Sequence, residues 1–188
     1  MHRAEDVTPG MLLVATHLLA DPNFARSVVL LLDVNAEGAL GVVLNRPSEV
    51  LVADVLEGWG PLCAPPEVLF SGGPVSRDGA VAVAMVRDPE QEPIGFRAIS
   101  GQVGMLDLDT PIELLDGGLL GLRVFAGYAG WGAQQLRGEI DEGSWHVVPG
   151  EPSDAFRADP RWLWRDVLQR QPGQLAWHAT RPTDPDLN

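Results

Sequence analysis

The sequence contains no lysine, so all 13 of its basic residues are arginines, and they stand against 26 acidic residues. The absence of lysine excludes a Schiff-base lysine and the lysine of a phosphate-binding P-loop. The formal net charge of -13 disfavours direct nucleic-acid binding, which normally needs a basic face. A GC-rich genome would produce the same Arg-only composition, and function has no part in that explanation.

Cysteine is almost absent as well, since Cys63 is the only one. A single cysteine excludes an internal disulfide and agrees with a reducing cytoplasm. No apolar run approaches the ~18 residues that cross a membrane. Residues 1–6 also lack the apolar segment of a secretory signal. We therefore expect a cytoplasmic protein with no membrane segment.

The composition that is present is that of a globular protein, with 188 residues, 45% hydrophobic and 21% charged. This length predicts one domain over residues 1–188, with residues 181–188 as a polar tail. Apolar runs and helical patterns mix without regular alternation. The pattern predicts an α+β fold, a compact single domain with a largely antiparallel or mixed sheet and a few short helices.

Individual elements follow from local periodicity and turn residues. Residues 27–33 form a continuous apolar run, which predicts a strand buried on both faces. Residues 50–56 predict a short helix, with Leu51, Val55 and also Val52 as its inward-facing residues. The other predicted helices span residues 110–115, 133–142 and 160–170. The other predicted strands span residues 7–16, 39–44, 68–70, 79–86, 96–99, 102–106, 119–126, 144–148 and 175–180.

The stretch from Gly127 to Trp145 concentrates unusual residues. We expect a glycine-broken turn at Gly127, Gly130 and Gly132 after the strand of residues 119–126. In the helix that follows, Leu136 and Ile140 would share the buried face. Gln135 and Glu139 would form a polar row beside that face, and Gly143 suits the left-handed position past the helix end.

Two interpretations of this stretch remain open. Trp131 and Trp145 could line a pocket or stack on a planar ligand, although tryptophan is more often part of a core. Glu139 and Glu142 could act as paired carboxylates, but a solvated acidic face is the favoured account.

Other chemical motifs are weak. The four histidines stand far apart without metal-ligand spacing, which predicts no metal site and no cofactor. Ser71 lacks a nucleophile-elbow pattern, and Cys63 has no base near it in sequence. Gly72 and Gly73 could present N–H groups to an anion with help from Arg46 or Arg77, or could simply form a turn.

Several motifs in register carry a family resemblance. They are Asn45-Arg46-Pro47 after Gly41-Val-Val-Leu44, Gly72-Gly73-Pro74, Gly127-Tyr-Ala-Gly-Trp131, Gln135-Leu136 with Glu139, and Gly143-x-Trp145. In order and spacing over residues 8–180 the chain closely resembles the YqgE/AlgH family of bacterial proteins, and its tail resembles the actinobacterial branch. The chain departs from the family pattern at Gln134, where glycine is usual, and at His17, where proline is common.

The resemblance implies a compact cytoplasmic α+β protein. Family members often carry the label of transcriptional regulators, and no catalytic residue or cofactor is established for the family. The first hypothesis is therefore a non-enzymatic regulatory or binding protein with a protein or small-molecule partner. Its candidate site is where polar and glycine-rich strand ends converge: Asn45, Arg46, Gly72, Gly73, Trp131, Gln135, Glu139 and Trp145. The alternative is a small-molecule enzyme, for example a hydrolase, with a pocket in this same region.

Overall fold

One curled sheet of ten strands dominates the computed structural model, which describes residues 7–115 and 117–179. The strands are β1 (Met11–Ala15), β2 (Val28–Asn35), β3 (Gly38–Val43), β4 (Pro47–Leu51), β5 (Val68–Ser71), β6 (Val75–Val86), β7 (Phe96–Ser100), β8 (Val103–Leu106), β9 (Leu119–Gly132) and β10 (Trp145–Pro149). The main path through the sheet runs β10-β1-β2-β3-β9-β6-β8-β7. Each pairing of these strands is antiparallel except that of β5 with β9, which is parallel, so the prediction of a largely antiparallel or mixed sheet is confirmed.

The helices are short. They are α1 (Val52–Val55), α2 (Gln135–Asp141), α3 (Leu163–Gln169) and α4 (Leu175–His178), with 3₁₀ turns at Gly60–Leu62, Ile112–Leu115, Pro152–Phe156 and Pro160–Trp162. The α+β class therefore holds in a coarse form, a large sheet with few helices. In α3 the expected face is buried, since Leu163, Trp164, Val167 and Leu168 are each at most 8% exposed.

The sheet is buried on both faces at β1 and β2. In β2, Val28, Leu30 and Leu32 pack in the core cluster that includes α3. The alternate residues Val29 and Leu31 pack in the cluster that includes α2. Alternation of side chains along a strand thus explains the continuous apolar run.

The expected glycine-broken turn after residue 126 is wrong, because β9 continues to Gly132. Gly127 has φ of 72° and makes a bulge opposite the irregular part of β6. A Cβ there would stand 2.6 Å from the Gly73 carbonyl oxygen. Gly130 and Gly132 then pair with Leu40 and Gly38 of β3. Gly127 thus allows the close approach of two chain segments, and Gly130 and Gly132 extend the strand rather than break it.

Two further predictions are corrected. Residues 47–51 form β4, which pairs with β5, and only Val52–Val55 is helical. Leu51 and Val55 are about half exposed at 49% and 52%, while Val52 is buried. The predicted final strand is the helix α4, and Thr180 and the polar tail of residues 181–188 lie outside the described residues.

Candidate functional site

The carboxylate of Glu139 joins the two tryptophans of the central stretch. Trp131 Nε1 donates to Glu139 Oε2 at 2.9 Å, and Trp145 Nε1 donates to the same oxygen at 2.8 Å. The other oxygen, Oε1, accepts from Gln135 Nε2 at 3.0 Å. Both indoles are buried, at 6% and 3% exposed. The carboxylate therefore satisfies two buried N–H donors, and the solvated acidic face expected for Glu139 is wrong.

Local chain geometry explains this arrangement. Trp131 stands near the end of β9 and Trp145 begins β10, with α2 between them. Gln135 and Glu139 are one helical turn apart, so both side chains lie on the same face of α2. Gly143, with φ of 84°, ends α2 and turns the chain into β10, as expected.

Phe24 extends this cluster into the surface loop of residues 17–27. Its ring centroid lies 6.1 Å from that of Trp131 and 5.6 Å from that of Trp145, and the two tryptophans are 5.9 Å apart. We call Phe24, Trp131, Gln135, Glu139 and Trp145 the tryptophan cluster. Its aromatic contacts hold one side of the loop against the sheet.

Asn45 and Arg46 hold the same loop from another side. Asn45 Oδ1 accepts from Val28 N at 3.0 Å, and its Nδ2 donates to the Arg26 carbonyl at 2.9 Å. Arg46 donates to the Pro22 carbonyl at 3.1 Å and the Ala25 carbonyl at 2.8 Å. Three of these bonds pair loop carbonyls outside the strand ladders, and the fourth pairs the Val28 N–H at the start of β2.

Gly72 and Gly73 directly follow β5, which pairs in parallel with β9. The Gly72 N–H donates to the Ala126 carbonyl at 2.9 Å, and the Gly72 carbonyl accepts from Val43 N at 2.9 Å. A Cβ on Gly72 would also stand 2.9 Å from Cβ of Phe125. The glycines thus serve close chain packing, and the Gly72 N–H is committed to the sheet rather than turned to an anion.

The structure brings the eight candidate residues into two neighbouring groups. Trp131, Gln135, Glu139 and Trp145 form one bonded cluster, and Asn45 and Arg46 lie across the loop from it. Gly72 and Gly73 adjoin the second group, since Ser71 N donates to the Arg46 carbonyl at 2.8 Å. Arg77 joins them by a long bond, 3.5 Å from its Nη2 to Asn23 Oδ1. The tryptophan cluster and the pair Asn45–Arg46 both contact the loop of residues 17–27.

A cavity of about 170 Å³ lies on another side of α2. None of the eight candidate residues lines it; its walls are Val7, Val34, Asn35, Gly38, Ala39, Gly132, Ala133, Gln134, Leu136, Arg137 and Ile140. Gln134 precedes α2 with φ of -113°. That backbone conformation suits any residue, so Gln134 fits where the family usually has glycine without strain.

Sequence reasoning missed a buried arginine. Arg123 is 1% exposed and donates to the carbonyls of Arg157 at 3.0 Å, Ala64 at 3.1 Å and Pro65 at 2.7 Å. Its guanidinium carbon lies 4.2 Å from the Phe70 ring centroid, and burial lowers the Arg123 pKa to about 10. The available signal was a lone charge inside the apolar run of residues 119–126.

Cys63, near Arg123, is buried, and burial raises the pKa of its thiol to about 11. The positive charge of Arg123 opposes that rise only in part. A thiol that stays protonated at neutral pH is a poor nucleophile, which supports a structural role for Cys63.

Sequence reasoning also missed a histidine cluster. The His178 ring stacks on His17 at 6.1 Å between centroids and lies 5.4 Å from His146. The His146 pKa is lowered by burial, and further by the neighbouring His178 and His17. Their wide separation in sequence gave no signal. Within residues 7–115 and 117–179 no group of three metal-ligating side chains is arranged to hold a metal ion.

Among the described residues, no helix has both the length and the apolar character to span a bilayer.

Comparison with known proteins gives consistent matches. The AlgH-like family model matches residues 12–176. A UPF0301 protein of Streptomyces avermitilis is 54% identical over 182 residues, covering 95% of this chain and 94% of its own. A UPF0301 protein of Mycobacterium tuberculosis is 45% identical over 188 residues, covering 98% and 93%.

Two solved structures are similar as well. A crystal structure of a Corynebacterium diphtheriae protein has a TM-score of 0.90 and 32% identity, covering 96% of this chain and 95% of that one. The solution structure of the AlgH protein from Pseudomonas aeruginosa has a TM-score of 0.69 and 26% identity, covering 98% and 100%. The motifs, the family model and these relatives agree, and the chain belongs to the AlgH-like family, within its actinobacterial branch.

Proposed function

We propose that this chain is a non-enzymatic regulatory protein that binds a protein partner through the loop of residues 17–27. The observation that carries this proposal is the double anchoring of that loop. The tryptophan cluster holds it at Phe24, and Arg46 holds it at Pro22 and Ala25. Rigid presentation of a surface loop lowers the entropy cost of binding.

The outer part of the loop supplies the contact surface. His17, Leu18, Asp21, Pro22 and Asn23 are exposed, and Leu18 is 63% exposed. Within the loop, Asn23 N donates to Asp21 Oδ1 at 2.8 Å, and Ala25 N donates to the Asp21 carbonyl. The exposed tip is therefore internally bonded as well as anchored from below.

Any effect on transcription would pass through this partner rather than through DNA contact. The net charge of -13 opposes approach to a phosphate backbone. Several arginines are also committed to chain carbonyls, as Arg46 and Arg123 are. The regulator label of the family fits a protein that acts indirectly.

The hydrolase alternative requires Asn45, Arg46 and Glu139 to face a common cleft. Each instead bonds to a neighbouring chain segment: Asn45 to residues 26 and 28, Arg46 to residues 22 and 25, and Glu139 to the two indoles. These contacts favour a binding role over a catalytic one.

The experiment that tests the partner places a photo-crosslinking amino acid at Asn23 in cells of the source organism. A matched control places it at Glu92, on an exposed loop elsewhere. We expect one protein to crosslink from position 23 alone, and the purified pair to bind saturably in calorimetry. Adding Phe24→Ala should weaken that binding roughly tenfold or more, since the loop must then be ordered on binding. Equal crosslinking from both positions, or no saturable binding, would reject the proposal.

DNA contact is tested separately by fluorescence anisotropy of labelled genomic fragments at low and moderate salt. We expect no binding even at about 20 mM salt, where phosphate contacts are strongest. Binding that weakens steeply with salt would mean that the protein touches DNA directly, and the indirect model would fail.

A further inference from the structure

Three separate segments each contribute a histidine to one cluster. His17 follows β1 in the loop, His146 lies on β10, and His178 is the last residue of α4. His178 is in ring contact with both of the others, at 6.1 Å and 5.4 Å between centroids. The cluster therefore connects α4 to β10, at the edge of the sheet, and to the loop of residues 17–27.

The helix α4 depends on packing for its stability. It has four residues, which is too short for a helix to be stable without packing. Leu175 packs against the core cluster of α3, and Ala179, just after the helix, is buried in that cluster. The ring contacts of His178 add to this packing and join α4 to β10 and to the loop.

The charged groups around His146 come from the elements packed against β10. The neighbouring strand β1 is wholly apolar, the loop contributes His17, and α4 contributes His178. The loop also carries Arg26, which lies 4.9 Å from the centroid of the Trp164 ring. The helix α2, with Arg137, Glu139 and Asp141, packs on the opposite face of β10, the face of Trp145 and Val147. The adjacent α3 carries Arg165, which is exposed, and two residues paired elsewhere: Asp166 with Arg157 at 2.6 Å, and Arg170 with Asp154 at 2.6 Å. Protonation of His146 therefore places a positive charge in a half-buried site beside two other imidazoles, which is unfavourable.

We propose that the contact of His146 with His178 is a pH-sensitive latch, which holds α4 beside β10 while the His146 imidazole is neutral and releases it when His146 is protonated. Release uncovers the apolar contacts of Leu175 and Ala179 beside α3. The latch is independent of the partner-binding role of the loop, although His17, whose ring stacks on that of His178, lies on that loop.

The direction follows from proton linkage. Burial lowers the pKa of His146, and the neighbouring imidazoles lower it further. The docked state then binds fewer protons than the released state, so acid favours release. The docked state of α4 is fully favoured above the ordinary histidine pKa of about 6.5. Its population decreases as the pH falls below that value.

Hydrogen exchange of residues 173–179 tests the latch, measured at about pH 7.5 and about pH 5.5 and corrected for intrinsic exchange rates. We expect the protection of this segment to fall several-fold, and by at most about tenfold, at the lower pH. Residues 163–169 of α3 should keep their protection, which separates release of α4 from global unfolding.

The matched variants are His146→Asn and His2→Asn, since His2 is the remaining histidine of the sequence. We expect His146→Asn to remove most of the pH dependence at residues 173–179 and His2→Asn to preserve it. If His146→Asn does not fold, His178→Asn serves the same purpose from the helix side. Equal pH dependence in cluster variants and wild type, or stronger protection in acid, would overturn the latch.

Discussion

At the residue scale, Glu139 is the acceptor for three side chains that come from β9, α2 and β10. Its two oxygens serve Trp131, Trp145 and Gln135. A hydrogen bond to a charged group contributes more than a neutral one, and an indole N–H left buried without an acceptor is costly.

We expect Glu139→Gln to lower the free energy of unfolding by about 1–3 kcal/mol, since one neutral amide oxygen replaces a charged acceptor shared by two indoles. Urea denaturation measures the change. The control is Glu142→Gln at the exposed end of the same helix, which should stay within about 0.5 kcal/mol of wild type. Equal effects of both substitutions would show that the carboxylate of Glu139 is not structural.

Also at the residue scale, Cys63 should resist thiol reagents. Its pKa of about 11 leaves little thiolate near pH 8, and the side chain is only 8% exposed. We expect Ellman's reagent to label the native protein much more slowly than the urea-unfolded chain. Because its pKa is raised, Cys63 holds its proton to a higher pH in the folded state than in the unfolded chain. The contribution of this proton to the free energy of unfolding is full below about pH 9 and is lost as the pH rises towards about 11. Fast native labelling near pH 8 would contradict this burial.

At the scale of elements, the loop of residues 17–27 is ordered by side chains that lie elsewhere in the chain. Phe24 is its aromatic anchor. We expect Phe24→Ala to cost about 1–3 kcal/mol and to speed amide exchange across the loop. Leu18→Ala, on the same loop but 63% exposed, should change the stability by less than about 0.5 kcal/mol. Unchanged loop exchange in Phe24→Ala would remove the basis for rigid presentation.

Element prediction from sequence worked where periodicity and capping agree. The helix predicted over residues 160–170 is found as the 3₁₀ turn Pro160–Trp162 followed by α3, with the expected buried face. Asp159 caps the 3₁₀ turn, since its Oδ1 accepts from Arg161 N at 3.2 Å. Element prediction failed at residues 175–178, where a short apolar run fits either a strand or a helix. The packing of Leu175 against the core cluster of α3 favours the helix at these residues.

At the scale of the whole molecule, the excess of acidic residues should make stability depend on salt. With a net charge of -13, repulsion among surface carboxylates opposes the compact state, and counterions screen it. We expect the melting temperature to rise by a few degrees between about 20 mM and about 300 mM sodium chloride. A matched osmolality of sucrose controls for non-ionic effects. A melting temperature that falls with salt would mean that attractive ion pairs outweigh the repulsion.

The sequence by itself determined the charge balance, the family, the predominance of strands and the identity of the candidate residues. These depend on composition, local periodicity and motif order, which are properties of the chain as written. Gly127 misled because the φ freedom that allows a turn also allows two chains to approach closely, and β9 uses it for the second purpose. Gly130 and Gly132 misled because a strand also accommodates glycine, as their pairing with Leu40 and Gly38 shows.

Only the tertiary structure decided what the candidate residues do. The carboxylate of Glu139 reaches the indole of Trp145 because α2 lies between β9 and β10. Arg46 likewise bonds to the Pro22 carbonyl, 24 positions away in the sequence. The same holds for Arg123 with Arg157 and for the three histidines. Side-chain hydrogen bonds and ring contacts act over a few ångströms in space, so contacts between distant segments exist only once the sheet has curled and brought those segments together.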